Sequence, residues 1–288
     1  MNRIAKRFQE LRDKKQTAFI PCPAGGAAGN ADVPVGRESA FIPFITGGDP
    51  TLAMSEDIAV ALGENGADII EYGAPFSDPV GDGAVIQEAS LRALQQGVNL
   101  RGILASIERI RKRSETPLLI FTYYNPVFVY GVEAFARDAA HAGADGVLCV
   151  DLPPDYALEY RDMMRQHDLS TVFLAAPTSA DARLALIGEA CDTFVYYISR
   201  LGVTGEQASL SDNLRAAVAH VREKTGKPVA VGFGISTPDQ ARQVAEIAEG
   251  VVVGSAIVRI IAEAQGAPDT VQRAAAFAAK LAEAVKSS

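Results

Sequence analysis

The sequence has little to offer a polyanion. Its 288 residues carry 27 Lys and Arg against 35 Asp and Glu, a formal net charge of −8, and no basic cluster interrupts that background. Nucleic acid and anionic membranes both reward a basic face, so neither is expected as a partner. Also missing are an apolar run long enough to cross a bilayer and a cationic start leading into an apolar core and cleavage site. The expected compartment is therefore the cytoplasm. Cysteine is scarce: Cys22, Cys149 and Cys191 lack the spacing of metal ligands or of a disulfide framework and read as free thiols. A small soluble substrate is what these absences leave.

About half of the chain is apolar, enough for one (β/α)₈ barrel of roughly 250 residues plus extras, or for two smaller domains. Eight short apolar, β-branched runs recur at 40–45, 68–70, 118–122, 146–150, 171–174, 193–198, 228–231 and 251–253. Helix-period segments lie between them, with start signals such as Asp49-Pro50 and the capping box Thr237-Pro238-Asp239-Gln240. Repeated strand–helix units need a parallel sheet buried on both faces, and eight close most simply into a TIM barrel. A doubly wound open sheet is the alternative. The expectation is a single α/β barrel domain over 1–288. An extra N-terminal helix at 2–14 would plug its bottom with Ile4, Phe8 and Leu11. Ala-Phe-Ile-Pro occurs twice, at 18–21 and 40–43; the second copy is read as the first strand, and the Gly- and Pro-rich stretch 21–39 as a mobile insertion.

Two glycine motifs close the chain's repeat. Gly232-Phe233-Gly234-Ile235-Ser236 follows the seventh strand and Gly254-Ser255 follows the eighth, neither with a Lys or Arg. In barrels these loops, with the amino end of a short helix, form a common phosphate site in which bare backbone amides meet the anion. Tight turns alone would also explain the glycines. Gly202-Val203-Thr204-Gly205, after the sixth strand, could close over the same ligand.

The acids sit elsewhere on the rim. Glu71 ends the second apolar run, and Asp82 lies eleven residues on in a loop rich in Gly and Pro. A glutamate over an apolar interior has its charged form disfavoured and so exchanges protons near neutral pH. Asp82, between Gly81 and Gly83, is expected to be better solvated and ionised. A structural ion pair remains open for Glu71, and an Asx turn is the reading preferred for Asp78.

Breaking a carbon–carbon bond in a sugar phosphate ordinarily needs a lysine Schiff base or a divalent metal. No lysine falls at a carboxyl strand end, and His141, His167 and His220 all fall in helices. An enzyme of this kind has to take its electron sink from the substrate.

The chain resembles the tryptophan synthase α family, through Phe-Ile-Pro-Phe-Ile-Thr-Gly-Gly-Asp-Pro (41–50), Glu-Tyr-Gly-Ala-Pro-Phe-Ser-Asp-Pro-Val-Gly-Asp-Gly (71–83), Tyr-Ile-Ser-Arg-Leu-Gly-Val-Thr-Gly (197–205), Gly-Phe-Gly-Ile-Ser (232–236) and Gly-Ser-Ala-Ile-Val (254–258). The resemblance implies a (β/α)₈ lyase that cleaves indole-3-glycerol phosphate to indole and glyceraldehyde 3-phosphate, the indole ring being the electron sink. It implies Glu71 as proton donor to indole C3 and acceptor from the adjacent hydroxyl, and Asp82 as partner of the ring N–H. Tyr196 would orient the glycerol portion; Phe44, Phe121, Leu148 and Phe233 would wall the indole slot; Gly205, Gly234, Gly254 and Ser255 would hold phosphate. Core packing is the competing reading for each wall residue. No cofactor is implied in this chain. The pyridoxal phosphate would belong to a β chain in an α₂β₂ tetramer, contacted near Pro75, Asp78, Asn125 and Pro153, with the loops 75–82 and 200–211 coupling the sites. The interruption 21–39 departs from the family pattern. A phosphosugar isomerase using Glu71, or a non-catalytic regulatory subunit, are the rival readings.

Overall fold

The computed structural model describes residues 2–17, 38–199, 207–232 and 234–287, the side chains of 15–17 and 207–212 excepted. From residue 40 onward short buried strands alternate with helices, because each apolar run is followed by a segment whose apolar residues return every three or four positions. In chain order the elements are α1 (Arg3–Thr17), β1 (Ala40–Thr46), α2 (Leu52–Glu64), β2 (Ile70–Gly73), α3 (Ala84–Gln95), α4 (Leu100–Arg111), β3 (Leu118–Thr122), α5 (Tyr124–Tyr130), α6 (Val132–Ala142) and β4 (Gly146–Cys149). A 3₁₀ turn at Pro154–Tyr156 follows, then α7 (Leu158–Gln166), β5 (Ser170–Val172), β6 (Leu174–Ala175), α8 (Asp181–Ala190), β7 (Val195–Ile198), α9 (Gln207–Thr225), β8 (Val229–Gly232), α10 (Pro238–Ala245), β9 (Gly250–Val253), α11 (Ser255–Ala264) and α12 (Thr270–Lys286).

Every pairing is parallel, in the order β5-β4-β3-β2-β1-β9-β8-β7-β6. The two ends of that order, β5 and β6, are separated in the chain by Phe173 alone. They are halves of one barrel strand: β5 pairs with β4, and β6 with β7. The sheet thus closes through the chain itself into a (β/α)₈ barrel, and the doubly wound alternative is excluded.

Side chains alternate across the barrel wall. Phe41, Ile45, Tyr72, Ile120, Val147 and Val231 pack outward under the helices. Ile42, Leu119, Leu148, Val172, Phe194 and Val252 fill the interior together with Ile4, Phe8 and Leu11 of α1. The expected plug is therefore in place, with Phe8 5.2 Å from the Phe194 ring. Polar contacts fix its angle. Asn2 Nδ2 donates to Asp145 O at 2.9 Å, and Arg7 Nε donates to the buried Asp68 carboxylate at 2.8 Å.

Three local expectations need correction. The second strand runs two to three residues later than the apolar run suggests, so Glu71 is the second residue of β2 and not its carboxyl end. Pro50 is not the first helical residue: Thr51 caps α2, its hydroxyl accepting from Met54 N, while Asp49 is engaged by Arg92. Of the 21–39 insertion, residues 21–37 lie outside the described residues, as does the first Ala-Phe-Ile-Pro. Ser39 at its end, just before β1, is fully buried and anchored, its hydroxyl within 2.8 Å of Ala245 O and 2.7 Å of Ala248 O. The capping box at Thr237 and Gln240 forms as read.

Candidate active site

Glu71 points into the barrel because the alternation that turns Ile70 and Tyr72 outward leaves it no other side. Its register partners are Phe44 on β1 and Leu119 on β3. The carboxyl group is fully buried, and neither oxygen has a hydrogen-bond partner among the described residues. Burial alone raises it to about 8, so it is mostly protonated at neutral pH. The alternative of a structural ion pair is thereby excluded among the described residues. A buried acid with two unmet oxygens destabilises the fold, and such groups are retained where a ligand or a reaction uses them.

Asp82 lies in the connection from β2 to α3, which is folded by a bond from its own amide to Pro79 O at 3.0 Å. The expectation of a well-solvated acid is corrected here. Asp82 is half-buried, and burial raises it to about 6 against the opposing effect of a hydrogen bond from the Tyr123 hydroxyl. At pH 7 it is mostly ionised. Asp78 on the same loop is exposed. Its backbone carbonyl, and not its carboxylate, takes the Val80 amide.

Tyr196 is the second residue of β7 and belongs to the interior cluster. Its hydroxyl is held well above the usual tyrosine range by burial first and then by the charges of Glu71 and Asp82, which places all three groups in one electrostatic neighbourhood. The phenol lies over Gly232, where a Cβ would come within 2.7 Å of Tyr196 Cζ. Glycine at this position therefore makes room for the ring.

The apolar wall is built on the same side. Phe44 meets Phe121 edge to face, centroids 5.0 Å apart, and both pack with Val85, Ile86, Ala89 and Val258 from α3 and α11. Gly73 passes close beneath, since a Cβ there would meet Phe44 Cζ at 2.7 Å. Leu148 is fully buried beside Phe121 in the β3–β4 register. Phe233 and Gly205 lie outside the described residues.

Helix α11 opens at Ser255 with Gly254 as its cap and no side chain bonded to the first-turn amides. Gly254 O takes Ile257 N and Val258 N, and Ser255 is exposed. A Cβ on Gly254 would lie 3.4 Å from Phe44 Cβ, so this helix start adjoins the aromatic wall and, through the β1–β2 register, Glu71. Gly234 is exposed with φ +82°, a conformation glycine adopts without strain. Tyr123 is the site residue that sequence reading missed; its only signal was its place immediately after β3. Among the described residues no group of three or more His, Cys, Asp or Glu converges as a metal site.

Comparison with known proteins gives a consistent picture. A family model described as "Tryptophan synthase alpha chain" matches residues 31–286. The curated tryptophan synthase alpha chain of Geobacter sulfurreducens is 46% identical over 285 residues, 99% of each chain. That of Pelobacter propionicus is 44% identical over 285 residues, 99% of this chain and 98% of the other. Among solved structures, tryptophan synthase subunit alpha from Legionella pneumophila superimposes with TM-score 0.86 at 33% identity and full coverage of both chains. A chain of the aminoacrylate-bound tryptophan synthase from M. tuberculosis gives 0.81 at 34% identity, covering 99% of this chain and 100% of that one.

Proposed function

The chain belongs to the tryptophan synthase alpha chain family, and from that premise we propose that Glu71 and Asp82 divide the proton transfers of its lyase reaction between them. The reaction is the cleavage of indole-3-glycerol phosphate to indole and glyceraldehyde 3-phosphate. Protonated Glu71 gives its proton to indole C3, and Asp82 receives or stabilises the ring N–H as positive charge spreads to nitrogen. The carboxylate left at Glu71 takes the proton of the hydroxyl on the adjacent carbon. The C3–carbon bond breaks, its electrons restore the indole ring, and the oxygen becomes the carbonyl of the aldehyde. Glu71 ends in the state in which it began.

The full burial of Glu71, whose two oxygens meet no hydrogen-bond partner among the described residues, carries this reading: a carboxyl raised by burial to about 8 is a proton donor at pH 7 and becomes a competent base once its proton has gone. Tyr196 orients the glycerol portion, Phe44, Phe121 and Leu148 border the ring, and Gly234, Gly254 and Ser255 present amides to the phosphate. Phe233 and Gly205 complete these two groups by resemblance. The substrate ring supplies the electron sink, so the chain needs no cofactor of its own.

The same proposal includes a β chain carrying pyridoxal phosphate, an α₂β₂ assembly, passage of indole between subunits, and a cytoplasmic setting. Val80, Phe128, Val129, Tyr156 and Leu158, each at least 66% exposed, stand on the connections after β2, β3 and β4. Large apolar side chains gathered on consecutive connections favour a protein partner on that rim. Asp78 and Asn125 are exposed there and Pro153 is half-buried; Pro75 is buried within this chain and is no surface residue.

The test is indole release from indole-3-glycerol phosphate by wild type, Glu71→Ala and Asp82→Asn. An inactive wild type overturns the reaction, and undiminished variants overturn the assignment of roles. Solvent exchange of substrate protons without indole release would favour an isomerase instead.

A further inference from the structure

Tyr123 follows β3 directly and is 2% exposed. Its hydroxyl accepts the Gly81 amide at 3.0 Å, one residue before Asp82, whose carboxyl it holds down against the upward push of burial. That oxygen thus holds the loop at the residue before Asp82, and because it accepts from the amide its own hydrogen is free for the neighbouring carboxylate. The ring is engaged as well, 5.1 Å from Phe76 on the same loop at an interplanar angle of 30°. Contact is close throughout: a Cβ on Gly81 would lie 2.7 Å from Val150 Cγ1 and 3.2 Å from Tyr123 Oη. Behind it, Tyr124 N donates to Asp151 Oδ1 at 2.7 Å and ties the start of α5 to the connection after β4.

We infer that Tyr123 is a positioning residue for the lyase reaction, its hydroxyl holding the Gly81 amide and its ring holding Phe76, so that the turn between them aims the Asp82 carboxyl at the mouth beside Tyr196 and Glu71. The inference rests on the proposed role of Asp82 at the ring nitrogen. The titratable groups around the acid are Glu71 on β2, Asp78 on its own loop, Tyr123 after β3, Asp151 after β4 and Tyr196 on β7; Gln87 of α3 holds the Asp82 carbonyl at 2.8 Å. The hydroxyl of Tyr123 favours the ionised acid, while burial opposes it.

Tyr123→Phe keeps the ring and its contact with Phe76 and removes only the hydroxyl. In the full chain it is expected to lower kcat for indole release about tenfold with KM within about twofold, since a misaimed acid impairs chemistry more than binding. The acidic limb of the pH–rate profile and the ¹³C titration of the Asp82 carboxyl should both move to higher pH. Loss of rate with neither of these moved would show that Tyr123 is mere packing, and an unchanged rate would overturn the inference equally. If Asp82→Asn retains full activity, the reading of Asp82 fails, yet the carboxyl titration in Tyr123→Phe still decides whether the hydroxyl holds that acid.

Discussion

Replacing Glu71 by glutamine should abolish the reaction and yet stabilise the protein, by an amount that depends on pH. The folded carboxyl titrates at about 8, against an ordinary value of 4.5. Between those values the folded chain keeps a proton that the unfolded chain has lost, so stability falls as pH rises through that window. Linkage at roughly 1.4 kcal/mol per pH unit sets a ceiling of about 3 kcal/mol at pH 7 and about 5 kcal/mol above pH 8. Glutamine has nearly the shape of the protonated acid and cannot ionise. Urea unfolding of wild type and Glu71→Gln should therefore coincide near pH 4 and separate progressively toward pH 9, the variant being the more stable, while its indole release falls by at least about a hundredfold. A stability difference that stays constant across this range would refute the reasoning, because it would mean that Glu71 is not forced to hold its proton by burial.

Other consequences are as direct. The rate of indole release should be bell-shaped in pH, falling below about 6 as Asp82 takes up a proton and above about 8 as Glu71 loses one, and a profile flat from pH 5 to 9 would contradict both assignments. Gly254→Asp fits sterically, since the added Cβ meets Phe44 at an ordinary 3.4 Å; its charge at the start of α11 should raise KM at least about tenfold for the phosphate substrate, with kcat largely kept. Phe128→Asp places a charge on the exposed apolar rim and should weaken association with a β chain, measured by calorimetry, while the isolated chain releases indole at the wild-type rate.

The parts of this molecule that were legible in the sequence are those set by local pattern. Val251–Val253 and Leu118–Thr122 could be found because strands buried on both faces are apolar throughout, and Thr237–Gln240 because a capping box is complete within four residues. The plug of Ile4, Phe8 and Leu11 was visible as one helical stripe. Where the reading slipped, distance in the chain was the cause. The setting of Asp82 depends on Tyr123, some forty positions on, whose hydroxyl holds the Gly81 amide and whose ring packs on Phe76 of the same loop. Strand β2 was displaced because Glu71 and Gly73 do not look like strand residues until Phe44 is seen packing on the bare backbone of Gly73. The burial of Pro75 was likewise not legible, because proline in a loop carries no mark of it.

A crystal structure of the Glu71→Gln variant with indole-3-glycerol phosphate bound gives the most direct measurement. The side chain at position 71 should stand within hydrogen-bond reach of C3 and of the adjacent hydroxyl, the Asp82 carboxylate should meet the ring nitrogen, and the phosphate should rest on the amides that begin α11. A ring bound with its nitrogen remote from Asp82, or with position 71 turned from C3, would contradict the account.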